Sequence, residues 1–282
     1  MNLSYIFRRL KYRLLRRRKC MFTLSCSGGW VPGTYAEKIR AAAALGYKAI
    51  EPLGWFGQDL QAARAASEET GCWISGIIVQ SADKAVSDLM KWTHGIVHED
   101  AREAFVQAMG ETVEAAKAIG CATIVVTTGN ERGDVSREIQ HANVVAALKA
   151  ALPVIKGTGI QLALEPLNVL VNHRGYFLTS TEEGAQIIRE VNSPQVRLLY
   201  DVYHQQITEG NLIDTIQKYI GVIGHFHTGD VPGRREPGTG EINYRNVFKA
   251  IAETGYRGYV VFECGLSEPV EIVTKKMFGL LP

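Results

Sequence analysis

Four side chains able to hold a metal ion end four successive apolar runs of this chain: Glu165, Asp201, His227 and Glu263. The runs they close read QLALE, VRLLYD, IGHFH and YVVFE. The separations are 36, 26 and 36 residues, each about the length of one strand–helix unit. Successive strands of a closed parallel barrel would bring the four groups to one rim, the C-terminal rim where barrel enzymes carry their sites. Three carboxylates gathered there repel one another unless a cation lies among them. Three oxygen donors and one imidazole suit Mn2+, Mg2+ or Co2+, whereas a structural Zn2+ would favour thiolates. Each residue also has an ordinary reading: a lone Glu at a strand end is most often solvated or caps a helix, and a lone His is most often a hydrogen-bonded structural group. The joint arrangement is what favours a metal site. His225 lies one pleat before His227, so it is expected deeper in the barrel, in a structural or supporting role. After His227 comes a charged loop with Asp230, Arg234 and Arg235, broken by Pro232, Gly233, Pro237, Gly238 and Gly240.

The elements that must position these groups follow a repeated punctuation. A helical pattern stops at a Gly and an apolar run begins one or two residues later, at Gly46, Gly71, Gly120, Gly159 and Gly255. This is the signature of helices ended by a left-handed Gly and followed by buried strands. The runs are continuously apolar, as in a parallel sheet covered by helices. Eight strands are expected: Phe22–Ser25, Ala49–Pro52, Trp73–Ile78, Thr123–Thr127, Gln161–Glu165, Val196–Asp201, Ile223–His227 and Tyr259–Glu263. Thr34 with Glu37, and Ser180 with Glu183, read as capping boxes. Phe105, Met109, Val113 and Ala116 form one buried helical stripe. Eight alternating units in 282 residues predict a single (β/α)8 TIM barrel over residues 21–282. A doubly wound sheet lacks any GxGxxG or P-loop sequence in its favour. The polar stretch 80–99 is long enough to fold over the mouth as a lid.

Composition narrows the class. Residues are 46% hydrophobic and 21% charged, ordinary for a soluble enzyme, and no membrane span is expected. The five cysteines (Cys20, Cys26, Cys72, Cys121 and Cys264) show no paired spacing and read as reduced packing residues of a cytoplasmic protein. Residues 8–19 hold eight Lys/Arg and no acid, and without them 23 basic face 29 acidic residues. The body is therefore no nucleic-acid binder by charge. Arg8–Arg9 open like an export signal, but no apolar segment or cleavage site follows. Residues 1–20 are expected to be a disordered basic extension, or to follow from a start upstream of Met21.

The stretches EPLN, LLYDVYHQQITEGNL, GHFHTGDVPGRREPGTGEINY and GYRGYVVFE resemble the xylose-isomerase-like sugar isomerase/epimerase superfamily, and within it most closely the hydroxypyruvate isomerase family. The resemblance runs from about Met21 to Gly265. It implies a single barrel using one divalent cation, with Glu165, Asp201, His227 and Glu263 as ligands and Glu165 and Glu263 as the acid/base pair. It further implies that His204 and Arg234 hold substrate oxygens, and it allows a homo-oligomer. Bacterial hydroxypyruvate isomerases have Gln at the position of His227, where His is the epimerase habit. Ketose 3-epimerases tend to carry a second Glu where this chain has Val171.

The implied reaction is proton transfer next to a carbonyl through an enediolate, one carboxylate taking the proton and the other returning one. Return to the adjacent carbon isomerises hydroxypyruvate to tartronate semialdehyde. Return to the same carbon epimerises a ketose of the tagatose or psicose type. A metal-dependent repair nuclease on this barrel would need more His and Asp at the rim than seven His allow, together with a basic face. A non-catalytic sugar-binding barrel would be expected to lack one of the carboxylates, and none is missing.

Overall fold

The computed structural model describes residues 22–91 and 93–282. The expected extension 1–20 and Cys20 lie outside the described residues. The strands are β1 (Thr23–Ser27), β2 (Ala49–Glu51), β3 (Trp73–Ile74), β4 (Ile77–Ile78), β5 (Thr123–Val126), β6 (Gln161–Leu164), β7 (Val196–Asp201), β8 (Ile223–Thr228) and β9 (Tyr259–Phe262). The helices are α1 (Tyr35–Ala44), α2 (Leu60–Thr70), α3 (Lys84–Leu89), α4 (Ala101–Ile119), α5 (Arg137–Ile155), α6 (Thr181–Val191), α7 (Val202–Thr208), α8 (Leu212–Tyr219), α9 (Tyr244–Glu253) and α10 (Val270–Phe278).

Every strand pairing is parallel, in the order β3-β2-β1-β9-β8-β7-β6-β5-β4. A parallel bridge from Leu53 to Ile77 carries the edge of β2 onto β4 and closes the ring. The molecule is the expected (β/α)8 barrel, with one departure. The third strand, expected unbroken over Trp73–Ile78, is interrupted at Ser75–Gly76 into β3 and β4. At the interruption the chain passes close to a buried carboxylate: a Cβ on Gly76 would stand 2.5 Å from Glu51 Oε2.

The main core lies between the ring and its helices and includes the Phe105, Met109, Val113 and Ala116 stripe of α4. Inside the ring, Val125, Ala163 and Leu199 form a separate buried cluster. Ala163 and Leu199 stand two residues before Glu165 and Asp201, on the same inward face by the period of two. Beneath the mouth the barrel interior is thus apolar on the side of β5 to β7, while His225 stands level with Leu199 on the neighbouring β8.

Gly71 and Gly120 end α2 and α4 in the left-handed conformation, φ 68° and 72°, as the punctuation predicts. Thr34 and Glu37 form the full capping box. Ser180 and Glu183 form half of one. Ser180 accepts from Glu183 N–H, but the Glu183 carboxylate is drawn away to Arg137 Nη2 at 2.5 Å. The described residues of the stretch 80–99 are fastened at both ends, and near the second end Val97 N–H donates to the carbonyl of Thr128, just past β5, at 3.1 Å. Glu111 of α4 accepts from Ser81 Oγ and Ala82 N–H, and α3 packs Val86 against Ala104 and Ala108 on the barrel's flank. No helix among the described residues is long and apolar enough to cross a membrane.

Candidate active site

Glu165 follows β6, Asp201 ends β7, His227 lies in β8 and Glu263 follows β9. One ligand atom from each of the four lies within 4.8 Å of the others. Glu165, Asp201 and His227 are buried, while Glu263 keeps 25% of its side chain exposed and so marks the open side.

Each group is held by a local device. Asp201 is the N-cap of α7: its Oδ1 accepts from Tyr203 N–H at 2.8 Å, which leaves Oδ2 to face the mouth. The backbone carbonyl of Glu165 accepts from Tyr176 Oη at 2.9 Å. Trp30 Nε1 donates to the carbonyl of Cys264 at 2.7 Å, pinning the chain just past Glu263. His227 donates from Nε2 to Glu51 Oε1 at 2.6 Å, which turns Nδ1 toward the carboxylates.

The charged loop after β8 is ordered by its own acids. Buried Asp230 accepts from the N–H groups of Val231, Gly238 and Ile242 at 2.9, 2.7 and 3.1 Å. Glu236 accepts from Ser267 N–H at 2.9 Å. This frame carries Arg234, in the left-handed region at φ 51°, into the cluster rather than to the surface. Its Nη2 donates to Asp201 Oδ2 at 3.0 Å and Glu263 Oε2 at 2.6 Å, and its guanidinium lies 5.1 Å from the centre of the Tyr203 ring. Arg235, by contrast, donates outward to the Leu266 carbonyl.

His204 sits beside Asp201, with Nε2 3.5 Å from Oδ2. Its Nδ1 accepts from Asn168 N–H at 3.1 Å and lies 2.6 Å from Asn168 Nδ2. That fixes Nδ1 as the acceptor and leaves the proton on Nε2. Burial pushes His204 down to about 4, so it is a neutral donor.

Arg234 reaches two of the three carboxylates, and four polar atoms around the mouth remain buried without an aligned hydrogen-bond partner: Glu165 Oε1, His227 Nδ1 (2.9 Å from Glu263 Oε2 but out of hydrogen-bond alignment), His204 Nε2 and Arg234 Nε. Unpartnered buried polar atoms are uncommon in folded proteins. Here they fall into two sets. Glu165 Oε1 and His227 Nδ1, 3.4 Å apart, could serve as ligand atoms, and with Asp201 and Glu263 they would make an oxygen-rich donor set suited to Mn2+, Mg2+ or Co2+. His204 Nε2–H and Arg234 Nε–H are donors suited to substrate oxygens.

The local fields are uneven. Burial pushes the Glu165 carboxyl above the usual range. For Glu263 burial is outweighed by His227 and Arg234, which hold it low. His227 is raised well above its ordinary value because Glu263 and Glu51 together overcome burial.

Glu51 and His225 complete the site from below, and the strand-end reading passed over Glu51. It closes AIE just as the other acids close their runs, and this was the available signal. Cys26, Cys72 and Cys121 are buried and Cys264 partly so, all as free thiols. A further grouping, His94, His98 and Asp100, shares no residue with the four-residue cluster. Its two rings stack at 3.6 Å and 16°, so their lone pairs run side by side instead of converging, and His94 Nε2 is engaged with Asp100 at 3.0 Å.

A family model described as xylose isomerase-like TIM barrel matches residues 39–276. A Danio rerio protein provisionally named a hydroxypyruvate isomerase is 31% identical over 80% of this chain and 82% of its own length. A 2-oxo-tetronate isomerase of Cupriavidus necator is 30% identical over 80% of this chain and 85% of its own. Among solved structures, one titled AP endonuclease, family 2, from Brucella melitensis superposes with a TM-score of 0.82 at 24% identity, over 93% of this chain and all of that one. At that identity the likeness carries the fold and not the activity.

Proposed function

The chain belongs to the xylose isomerase-like TIM-barrel family, and on that premise we propose that it is a divalent-metal-dependent isomerase of small hydroxy-oxo acids, hydroxypyruvate first among them. The observation that carries this is the double set of unpartnered buried atoms at one mouth, a ligand pair beside a donor pair. Glu165, Asp201, His227 and Glu263 would hold Mn2+, Mg2+ or Co2+. The bound cation supplies Lewis acidity to a substrate carbonyl and its neighbouring hydroxyl oxygen. His204 donates from Nε2 to a substrate oxygen. Arg234 spends only Nη2 on its carboxylate partners, so Nε–H is left for a substrate carboxylate, the group that separates an oxo acid from a free sugar.

Glu165 and Glu263 stand three strands apart in the ring, which allows them to address a substrate from different sides. One takes a proton from C3 of hydroxypyruvate and the other delivers one to C2, while the hydroxyl proton passes from O3 to O2. The product is tartronate semialdehyde, and atoms and electrons balance without an external oxidant. A ketose 3-epimerase, returning the proton to the same carbon, is the second reading. It is favoured by the imidazole at position 227.

The test is an activity screen with added Mn2+, Mg2+ or Co2+ over hydroxypyruvate, tartronate semialdehyde, 2-oxo-tetronate, fructose, tagatose and psicose. Turnover of the oxo acids well above that of the ketoses is expected. Turnover confined to the ketoses would replace the first reading with the second, and full activity after exhaustive chelation would overturn the metal.

A further inference from the structure

We propose that Glu51 is the positioning residue of this site: a single buried carboxylate beneath the mouth sets both imidazoles of the HFH strand and so aims His227 Nδ1 at the three acids. This rests on the metal reading above. His227 donates from Nε2 to Oε1 at 2.6 Å, and His225 donates from Nε2 to Oε2 at 2.9 Å. Ser75 Oγ donates to Oε2 at 2.9 Å and lies 2.7 Å from Ser25 Oγ, which extends the chain of polar groups across the ring. Glu51, Ser25, Ser75, His225 and His227 are all buried. A carboxylate only accepts, so both rings must present a donor nitrogen to it. A histidine that ligates through one nitrogen is oriented and made more basic by an acceptor at the other.

The backbone is shaped around this carboxylate. A Cβ at Gly76 would stand 2.5 Å from Oε2 and 2.9 Å from Cδ of Glu51. Gly76 is not in the left-handed region, so its lack of a side chain serves space and not backbone conformation. The break between β3 and β4 falls at this residue. Gly76 therefore makes the room that Glu51 occupies.

Two variants test the assignment. Gln in place of Glu51 keeps the shape but offers one acceptor and one NH2 donor, so it cannot accept from both rings, and one imidazole must turn or lose its partner. Gly76→Ala keeps every polar group and displaces the carboxylate. In both, Mn2+ affinity by calorimetry is expected to weaken by about 10–100-fold, the scale for loss of an outer partner of a ligating histidine. The side-chain 15N resonances of His225 and His227 in the ion-free protein are expected to shift, which a purely structural loss elsewhere would not produce. A folded Glu51→Gln protein with wild-type Mn2+ affinity and unchanged imidazole resonances would overturn the proposal. If that variant fails to fold, Gly76→Ala decides by the same two readouts. If the unaltered protein binds no Mn2+, the metal reading fails by itself, and the 15N comparison still decides whether Glu51 sets the two rings.

Discussion

Asp201 offers the sharpest separation of structural work from ligand work, because its two carboxylate oxygens do different things. Oδ1 caps α7 through Tyr203 N–H at 2.8 Å, and Oδ2 faces Arg234 at 3.0 Å and the His227 cluster. Asp201→Ala removes both. Loss of an N-cap costs about 0.5–2 kcal/mol, which in a chain of this size lowers Tm by roughly 2–4 °C per kcal/mol. Asp201→Asn should behave differently. The cap needs a carbonyl oxygen at Oδ1, so the amide NH2 is forced to the position of Oδ2, where it can neither ligate a cation nor accept from Arg234. The Asn protein should therefore keep most of the cap's stability, at some cost from the unaccepted Arg234 contact, while its Mn2+ affinity falls by more than the ~10–100-fold typical of an outer-sphere loss. The paired assay is a thermal melt of the ion-free proteins and a Mn2+ titration by calorimetry. Wild-type Mn2+ affinity in the Asn variant would remove Asp201 from the ligand set, and equal melting losses in both variants would refute the division of labour between its oxygens.

Ion binding should depend on pH in a definite sense. Burial raises Glu165 to about 7, and Glu263 and Glu51 overcome burial to raise His227 well above its ordinary value; both protons must leave before these groups can ligate, so Mn2+ affinity is expected to rise as pH increases through about 7 and to go on rising above it; proton release measured in buffers of different ionisation enthalpy checks this, and a flat profile contradicts it. Glu263→Gln keeps an oxygen donor but no base, so turnover should fall by roughly 10²–10⁴-fold, the range of general acid–base catalysis, with some Mn2+ still bound. In the same experiment solvent deuterium should enter the substrate carbon during wild-type turnover, whereas complete retention of the original hydrogen would indicate a hydride shift in place of two bases. Arg234→Met should raise KM for hydroxypyruvate roughly tenfold to a hundredfold, from the ~1.5–3 kcal/mol of a hydrogen bond to a charged group, and change KM for fructose much less; equal effects on both substrates would remove the carboxylate-binding role.

Much of this architecture was legible because a parallel barrel writes its geometry into sequence. Each of β6 to β9 is an apolar run that carries a metal-capable residue near its end or is followed by one, and a closed ring turns sequence steps of about one strand–helix unit into spatial neighbours. The interruption at Ser75–Gly76 was not legible. WISGII reads as one buried strand, and the carboxylate that Gly76 makes room for lies 25 residues earlier in the chain. Glu51 itself carried the same strand-end signal as Glu165, but its partners His225 and His227 lie 174 and 176 residues away. They meet it only because both His225 and His227 point inward from β8 across the ring. The second capping box failed for a related reason. Glu183 has the spacing to reach back to its own N-cap, yet Arg137 on the neighbouring helix takes it at 2.5 Å. An inter-helix ion pair outbids a local one when the local alternative is a single backbone N–H that water can also satisfy. Spacing along the chain therefore finds groups that act from adjacent strands. Groups that act across the ring or between helices become visible only when the interior is filled, and in this barrel they are the ones that aim His227.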